Sequence, residues 1–314
     1  MLKATIKRFL PDALLEEYAS RRWYSEKKRN IPTVDKAIKT IEERWNFKPI
    51  EIPDAPVFIF SAGWRSGSTL IQRLVNSDKE ILIWGEPYNK CDFIQHHSDS
   101  LRSFTNSHPS SSYFIDSRNF AGSEDQLHRR WTANLYPDLK AFVDAHRNFY
   151  TTLYAKPSIE RGFTRWGIKE VRLTIDHAHY LKWLFPNAKF LFLYRNPYKA
   201  YQSCHTWRDL YIRWPDVPVP TPEEFGSNWK HMIEGYQAGV ESIGGLLIKY
   251  EEFLTGKPPI EKLSEYLELT LDASTMDQRI GSQSQKKVPL SEQQIKRLKK
   301  VVSPLAQQLG YTGL

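Results

Sequence analysis

Short apolar runs alternate with stretches of helical spacing along most of this chain. Val57-Phe58-Ile59-Phe60 is the first run. It passes through a glycine- and serine-rich turn, Ser61 to Thr69, into Leu70-Ile71-Gln72-Arg73-Leu74-Val75, whose apolar positions recur at helical intervals. A second run, Ile81-Leu82-Ile83-Trp84, is closed by Gly85-Glu86-Pro87. Trp166-Gly167-Ile168-Lys169-Glu170 is a shorter strand candidate. Lys189-Phe190-Leu191-Phe192-Leu193-Tyr194 is the clearest buried strand, and Gly245 to Tyr250 is the last. Apolar runs of this length between turn residues predict strands buried on both faces.

Between the runs the pattern turns helical. Leu10, Leu14, Leu15 and Tyr18 recur near helical spacing, so residues 1–50 read as charged helical segments. Residues 126–160, 258–267 and 291–309 are also predicted helical, as is Asp176 to Phe185 with Asp176 as its start. Arg195-Asn196-Pro197 opens a helix through Ser203, since proline suits a first helical turn, where its missing N–H has no partner to lose. Residues 95–125 are rich in Ser, His and Asn without periodicity and read as a loop-rich insertion. Residues 206–228, rich in Trp and Pro, read as a structured loop. Strands alternating with helices predict an α/β fold: a parallel sheet flanked by helices on both faces. Ligands of such sheets bind beyond the carboxyl ends of the strands. Arg65, Glu86, Lys169 and Arg195 each end or follow a strand.

Composition narrows the function. The 314 residues carry 44 Lys and Arg against 36 Asp and Glu, a formal net charge of +8. A basic surface suits an anionic ligand such as a nucleotide, phosphate or sulfate. No nucleic-acid partner is expected, because no RNP, zinc-finger or helix-turn-helix signature is present. Cys91 and Cys204 form no CxxC and no disulfide framework. No apolar run approaches the ~20 residues of a membrane span. The first residues show no apolar core of a secretory signal. The expectation is a cytoplasmic protein without a transmembrane span.

Gly63 to Thr69 is a candidate anion loop. Glycines let the backbone approach an anion, and the following helix start offers free N–H groups. Ser66, Ser68 and Thr69 add hydroxyls, and Arg65 adds a planar cation. An ordinary Gly/Ser turn would present the same residue types. The nucleotide triphosphatase pattern GxxxxGK[ST] is not met: three residues separate Gly63 from Gly67, and Ser68 stands in the lysine position. The strand at 189–194 ends in Arg195 rather than an aspartate that holds magnesium. His177 and His179 lack partners at metal-ligand spacing, so no metal site is expected. GxSxG is absent, and with it a Ser–His–Asp reading.

Arg65-Ser66-Gly67-Ser68-Thr69-Leu70 and Tyr194-Arg195-Asn196-Pro197-Tyr198-Lys199-Ala200-Tyr201-Gln202-Ser203 together resemble the two signature elements of the sulfotransferase family that uses 3′-phosphoadenosine-5′-phosphosulfate (PAPS). Weaker likenesses lie at Trp166 to Glu170, at Lys249-Tyr250-Glu251-Glu252-Phe253-Leu254, and at Gly281-Ser282 with Lys286-Lys287. The resemblance covers roughly 55–300. It implies a P-loop-type sulfotransferase fold over 51–314, with 1–50 packed on it and 91–160 inserted on the acceptor side. The first motif then cradles the 5′-phosphosulfate. Arg195 and Ser203, eight residues apart, take the 3′-phosphate. Tyr250 lies near the adenine, and Ser282 and Lys287 reach back to the nucleotide.

The implied reaction is metal-free in-line transfer of a sulfuryl group, leaving 3′-phosphoadenosine-5′-phosphate (PAP). Charge then builds on the bridging oxygen, where a cation stabilises the transition state more than the ground state. Arg65 and Lys169 are the candidate cations. The acceptor loses a proton, and Glu86 is the candidate base. It lies 21 residues after Arg65, similar to the catalytic glutamate of glycan-type and tyrosylprotein-type members. That pattern implies a hydroxyl, or an amine, of a carbohydrate or small-metabolite acceptor. His96, His97 and His108 are the alternative bases. Trp207, Tyr211, Trp214 and Trp229 are candidate walls of the acceptor pocket, and the 95–125 stretch a candidate lid. Two rivals stand beside this reading: an ATP-dependent phosphotransferase with an atypical loop, and a nucleotide-binding protein without catalysis.

Overall fold

The strands form where the apolar runs lie. In the computed structural model, which describes residues 31–86, 92–122, 124–206, 219–254, 258–277 and 288–311, they are β1 (Val57–Ser61), β2 (Ile81–Trp84), β3 (Arg165–Glu170), β4 (Lys189–Tyr194) and β5 (Leu246–Lys249). All pair in parallel, in the order β2-β3-β1-β4-β5. Parallel neighbours need long crossovers, usually helical. Helix α1 (Val34–Trp45) precedes the sheet; between the strands lie α2 (Ser68–Val75), α3 (Phe93–Leu101), α4 (Leu139–Tyr150), α5 (Lys156–Ile159), α6 (Ile175–Leu184), α7 (Pro197–Thr206) and α8 (Pro222–Ile243), while α9 (Pro258–Leu267) and α10 (Glu292–Gln308) follow it. A π-helical turn, Thr151–Ala155, joins α4 to α5.

Strand alternation sorts the core into two layers. Val57, Ile59, Leu191 and Leu193 face α2 and α9, meeting Ile71, Leu74, Leu263 and Leu267. Phe58, Phe60, Phe190 and Phe192 face the opposite way, toward Leu181 of α6 and Tyr236 of α8. There the aromatic rings meet across strands, Phe58 and Phe190 tilted with centres 5.3 Å apart and Phe60 and Phe192 edge to face at 5.6 Å. Burial on both faces is why these strands read as continuous apolar runs rather than alternating ones.

The order of the strands places the site. The connection out of β1 leads to β2 on one side, and that out of β4 leads to β5 on the other. Adjacent strands whose connections diverge leave a crevice at their carboxyl ends. The β1 and β4 loops that open on it carry Arg65 and Arg195.

Three local readings change. Residues 95–125 are not wholly loop: α3 runs through Phe93–Leu101, packing Ile94, Ser98 and Leu101 inward. The segment 206–228 gives way to α8 at Pro222, capped by Thr221, whose side chain accepts from Glu224 N while the Glu224 carboxylate returns to the Thr221 N–H. The helix expected to open at Asp176 is capped by Thr174 instead, with Asp176 in its first turn. Among the described residues no helix is long and apolar enough to cross a membrane.

Candidate functional site

The loop after β1 is built on backbone that glycine makes accessible. Gly63 and Gly67 take φ values of 85° and 90°, and Arg65 between them takes 61°. Gly67 caps α2, and its carbonyl accepts from Leu70 N and Ile71 N. The N–H groups of Ser68 and Thr69, which open α2, have no partner within the helix. Ser66 departs from its expected outward role. Its hydroxyl is buried and donates to Gly63 O at 3.0 Å, so it braces the loop. Ser68 is buried and Thr69 exposed at the helix start.

Tyr250, just past β5, lies flat on this loop. A Cβ on Gly67 would stand 2.2 Å from two carbons of the Tyr250 ring. Gly67→Ala is therefore expected to combine an unfavourable φ with a clash against an aromatic ring, lowering unfolding free energy by about 2–4 kcal/mol. Thermal melting checks this, and a variant that melts with the wild type contradicts the close packing.

Arg195 leaves β4 into the same corner. Its guanidinium lies 4.6 Å from the centre of the Tyr250 ring, and its Nη1 donates to Arg65 O at 2.9 Å. Trp229, on α8, donates from its indole to Arg195 O at 3.0 Å; it is buried there and braces the site rather than walling an open pocket. Asn196 Oδ1 accepts from Tyr198 N and Lys199 N, which fixes the start of α7. Glu251 accepts from Asn196 N at 3.0 Å and from the Tyr311 hydroxyl at 2.7 Å, tying the turn to β5 and to the chain beyond α10. Two turns along α7, Ser203 accepts from Arg65 Nε at 2.9 Å. Among the described residues, Arg195 Nε is buried with no hydrogen-bond partner.

The second group lies at the end of β3. Lys169 pairs with Ile59 of β1, so its side chain shares the α2 face of the sheet. Its Nζ is 2.5 Å from Glu86 Oε2, with the side chains only 5% and 18% exposed. Glu86 reaches this position from the turn two residues beyond β2.

Three residues of this region escaped the sequence reading. Glu170 points to the other face, where Arg172 grips it through Nε at 3.0 Å and Nη2 at 3.1 Å. Arg172 Nη1 also donates to Asp92 Oδ1 at 2.6 Å, anchoring the start of α3 to the end of β3. Burial pushes the Glu170 carboxyl above its usual range, and Arg172 opposes the shift. The charged run Lys169-Glu170-Val171-Arg172 after an apolar strand was the visible signal.

The alternative bases sit elsewhere. His96 is exposed, 3.9 Å from Asp92. His97 meets the Tyr150 hydroxyl at 3.2 Å and packs edge-on to Phe149. His108 precedes Pro109 in the irregular stretch after α3. Ser282, Lys287, Trp207, Tyr211 and Trp214 lie outside the described residues. Among the described residues no cluster of His, Cys, Asp and Glu has the make-up of a metal site.

The loops after the two central strands thus converge on one corner, with a buried lysine–glutamate pair one strand away. The sulfotransferase family model matches residues 56–273, and the chain belongs to that family. Solved structures similar to it include the sulfotransferase domain of the Synechococcus PCC 7002 olefin synthase. That match has 18% identity over 83% of this chain and 98% of that one, with a TM-score of 0.47. A Mycobacterium avium sulfotransferase matches at 17% identity, 89% and 82% coverage and a TM-score of 0.43. One from Alicyclobacillus acidocaldarius matches at 16%, 83% and 97%, with a TM-score of 0.43. No curated protein matches the chain.

Proposed function

We propose that this sulfotransferase moves a sulfuryl group from PAPS to a hydroxyl, or an amine, of a carbohydrate or small-metabolite acceptor. The observation that carries the donor reading is the corner around Arg195. A buried guanidinium N–H without a partner is costly unless an acceptor arrives. A phosphate oxygen is such an acceptor, and the neighbouring Ser203 hydroxyl and Tyr250 ring fit a nucleoside 3′-phosphate.

Around that corner each residue has a task. Arg195 and Ser203 hold the 3′-phosphate. The N–H groups at the start of α2, with the Ser68 and Thr69 hydroxyls, receive the 5′-phosphate. Arg65 adds positive charge to the loop. Tyr250 offers a flat face to the nucleoside. Ser282 and Lys287 belong to this reading as donor ligands. When bound, PAPS supplies an activated sulfuryl group on a phosphate leaving group.

Lys169 presents its ammonium to the leaving oxygen, in a site where water is largely excluded and a cation acts strongly. Glu86 takes the acceptor's proton. Its Oε2 accepts from Lys169 Nζ, and among the described residues no donor engages Oε1. That oxygen is the one an acceptor hydroxyl would meet.

Calorimetry with PAP, and with adenosine 5′-monophosphate as the analogue lacking only the 3′-phosphate, tests the reading in buffer containing a chelator. PAP is expected to bind at least about 100-fold tighter, since a phosphate between a guanidinium and a hydroxyl gains charge-assisted hydrogen bonds. Equal binding of the two would remove the donor assignment. Preference for ATP with magnesium would return the chain to phosphoryl transfer.

A further inference from the structure

Arg65 sits in the loop that faces the 5′ end of the donor, yet its side chain leads away from that end. Its backbone is left-handed at φ 61°. A non-glycine residue holds that conformation only where its surroundings fix it. What fixes it here is visible at both ends of the residue. Nε donates to Ser203 Oγ at 2.9 Å, on α7, 138 positions further along the chain. The carbonyl accepts from Arg195 Nη1 at 2.9 Å. Arg195 in turn is clamped between that carbonyl and the Tyr250 ring.

The two arginines are therefore linked to one another, and through Arg65 to Ser203. Cys204, buried next to Ser203, reports the same convergence. Burial pushes its thiol up to about 12, while the charges of both Arg65 and Arg195 pull the other way. Two guanidiniums that both act on one buried thiol repel each other, and an anion between them relieves the repulsion. Among the described residues no carboxylate forms an ion pair with Arg195. A dianionic phosphate monoester matches both the charge and the planar N–H geometry of guanidinium groups.

We propose that Arg65 reads the 3′-phosphate of the donor, closing round it together with Arg195 and Ser203, rather than serving the reacting sulfuryl end. The proposal rests on the PAPS reading and deepens it. The loop then selects 3′-phosphorylated nucleotides, and Lys169 is left as the cation at the leaving oxygen.

The test is binding of PAP and of adenosine 5′-monophosphate to the wild type, Arg65→Gly and Arg65→Lys. Glycine suits the left-handed backbone, so Arg65→Gly removes the side chain without adding strain. A melting curve verifies its fold. Arg65→Gly is expected to weaken PAP binding by about 10- to 100-fold and adenosine 5′-monophosphate binding by less than about threefold, collapsing the preference between them. Arg65→Lys keeps a point charge without the planar fork and is expected to restore the preference only in part. If Arg65→Gly weakens both ligands by one factor, or neither, the assignment to the 3′-phosphate is overturned while the donor reading stands. If the wild type itself shows no preference for PAP, the donor reading fails and this inference goes with it.

Discussion

Lys169→Met is expected to lower turnover by about 100- to 1,000-fold while leaving PAP affinity within about threefold of wild type. Methionine keeps most of the lysine stem, so the end of β3 stays packed and only the ammonium is lost. The effect is large because the lysine side chain is 5% exposed and 2.5 Å from a carboxylate of similar burial. A cation in such a place acts with little screening on charge that accumulates during transfer. The same substitution leaves Glu86 without its partner, and one half of a buried pair is destabilising by itself. Stability and turnover must therefore be read together. The double variant Lys169→Met, Glu86→Gln removes the stranded charge and is expected to recover most of the lost stability. It is not expected to recover turnover. Recovery of both would make the pair a structural ion pair and move the chemistry elsewhere.

The contrast between stability and turnover also marks where sequence reasoning works. The central strands were legible because β1, β3 and β4 are buried on both faces, and β4 carries an unbroken apolar run whose inner members are fully buried. The helix α3 was not. Its inward stripe falls at Ile94, Ser98 and Leu101, a helical spacing in which the middle position is a serine with no exposed surface. One polar residue at a buried position was enough to hide the period. The start of α8 was hidden by composition, because Trp and Pro suggested a loop. Thr221-Pro222-Glu223-Glu224 nevertheless holds a capping box with proline at the first helical position, a legible signal.

The site divides in the same way. Arg195, Ser203 and the loop glycines could be singled out because motif spacing survives in one dimension. The direction of a side chain does not. Ser66 was expected to face the anion and instead closes the loop from within. Tyr250 against Gly67 joins residues nearly two hundred positions apart, and only the finished sheet brings β5 beside the β1 loop. The Asp92–Arg172–Glu170 bracket is of the same kind.

Acid is expected to destabilise the protein steeply between pH 6.5 and about 4, by up to about 3 kcal/mol for each of two histidines. Burial pushes the imidazoles of both His146 and His177 down to about 4, with His97 and Arg102 respectively adding repulsion. In the unfolded chain both take up protons near 6.5, whereas in the folded protein they stay neutral until about 4. Across that window the unfolded state binds more protons, so stability falls as pH falls. Above it neither state is charged at these positions, and below it both are. The structure shows what resists protonation. His146 Nδ1 is 2.7 Å from the Tyr180 hydroxyl, in a nest of rings that includes Phe142. His177 Nδ1 accepts the Thr174 N–H at 2.9 Å, so a proton there removes the acceptor that closes the start of α6. Glu170 and Asp54 titrate in the opposite sense, because burial raises both carboxyls and the folded state then gains protons first. The readout is accordingly a difference between variants. Urea unfolding at about pH 7 and about pH 5 is expected to show His146→Gln and His177→Asn each shrinking the loss of stability between the two by about 2 kcal/mol. A loss unchanged in both variants would remove these histidines as the source of the acid sensitivity.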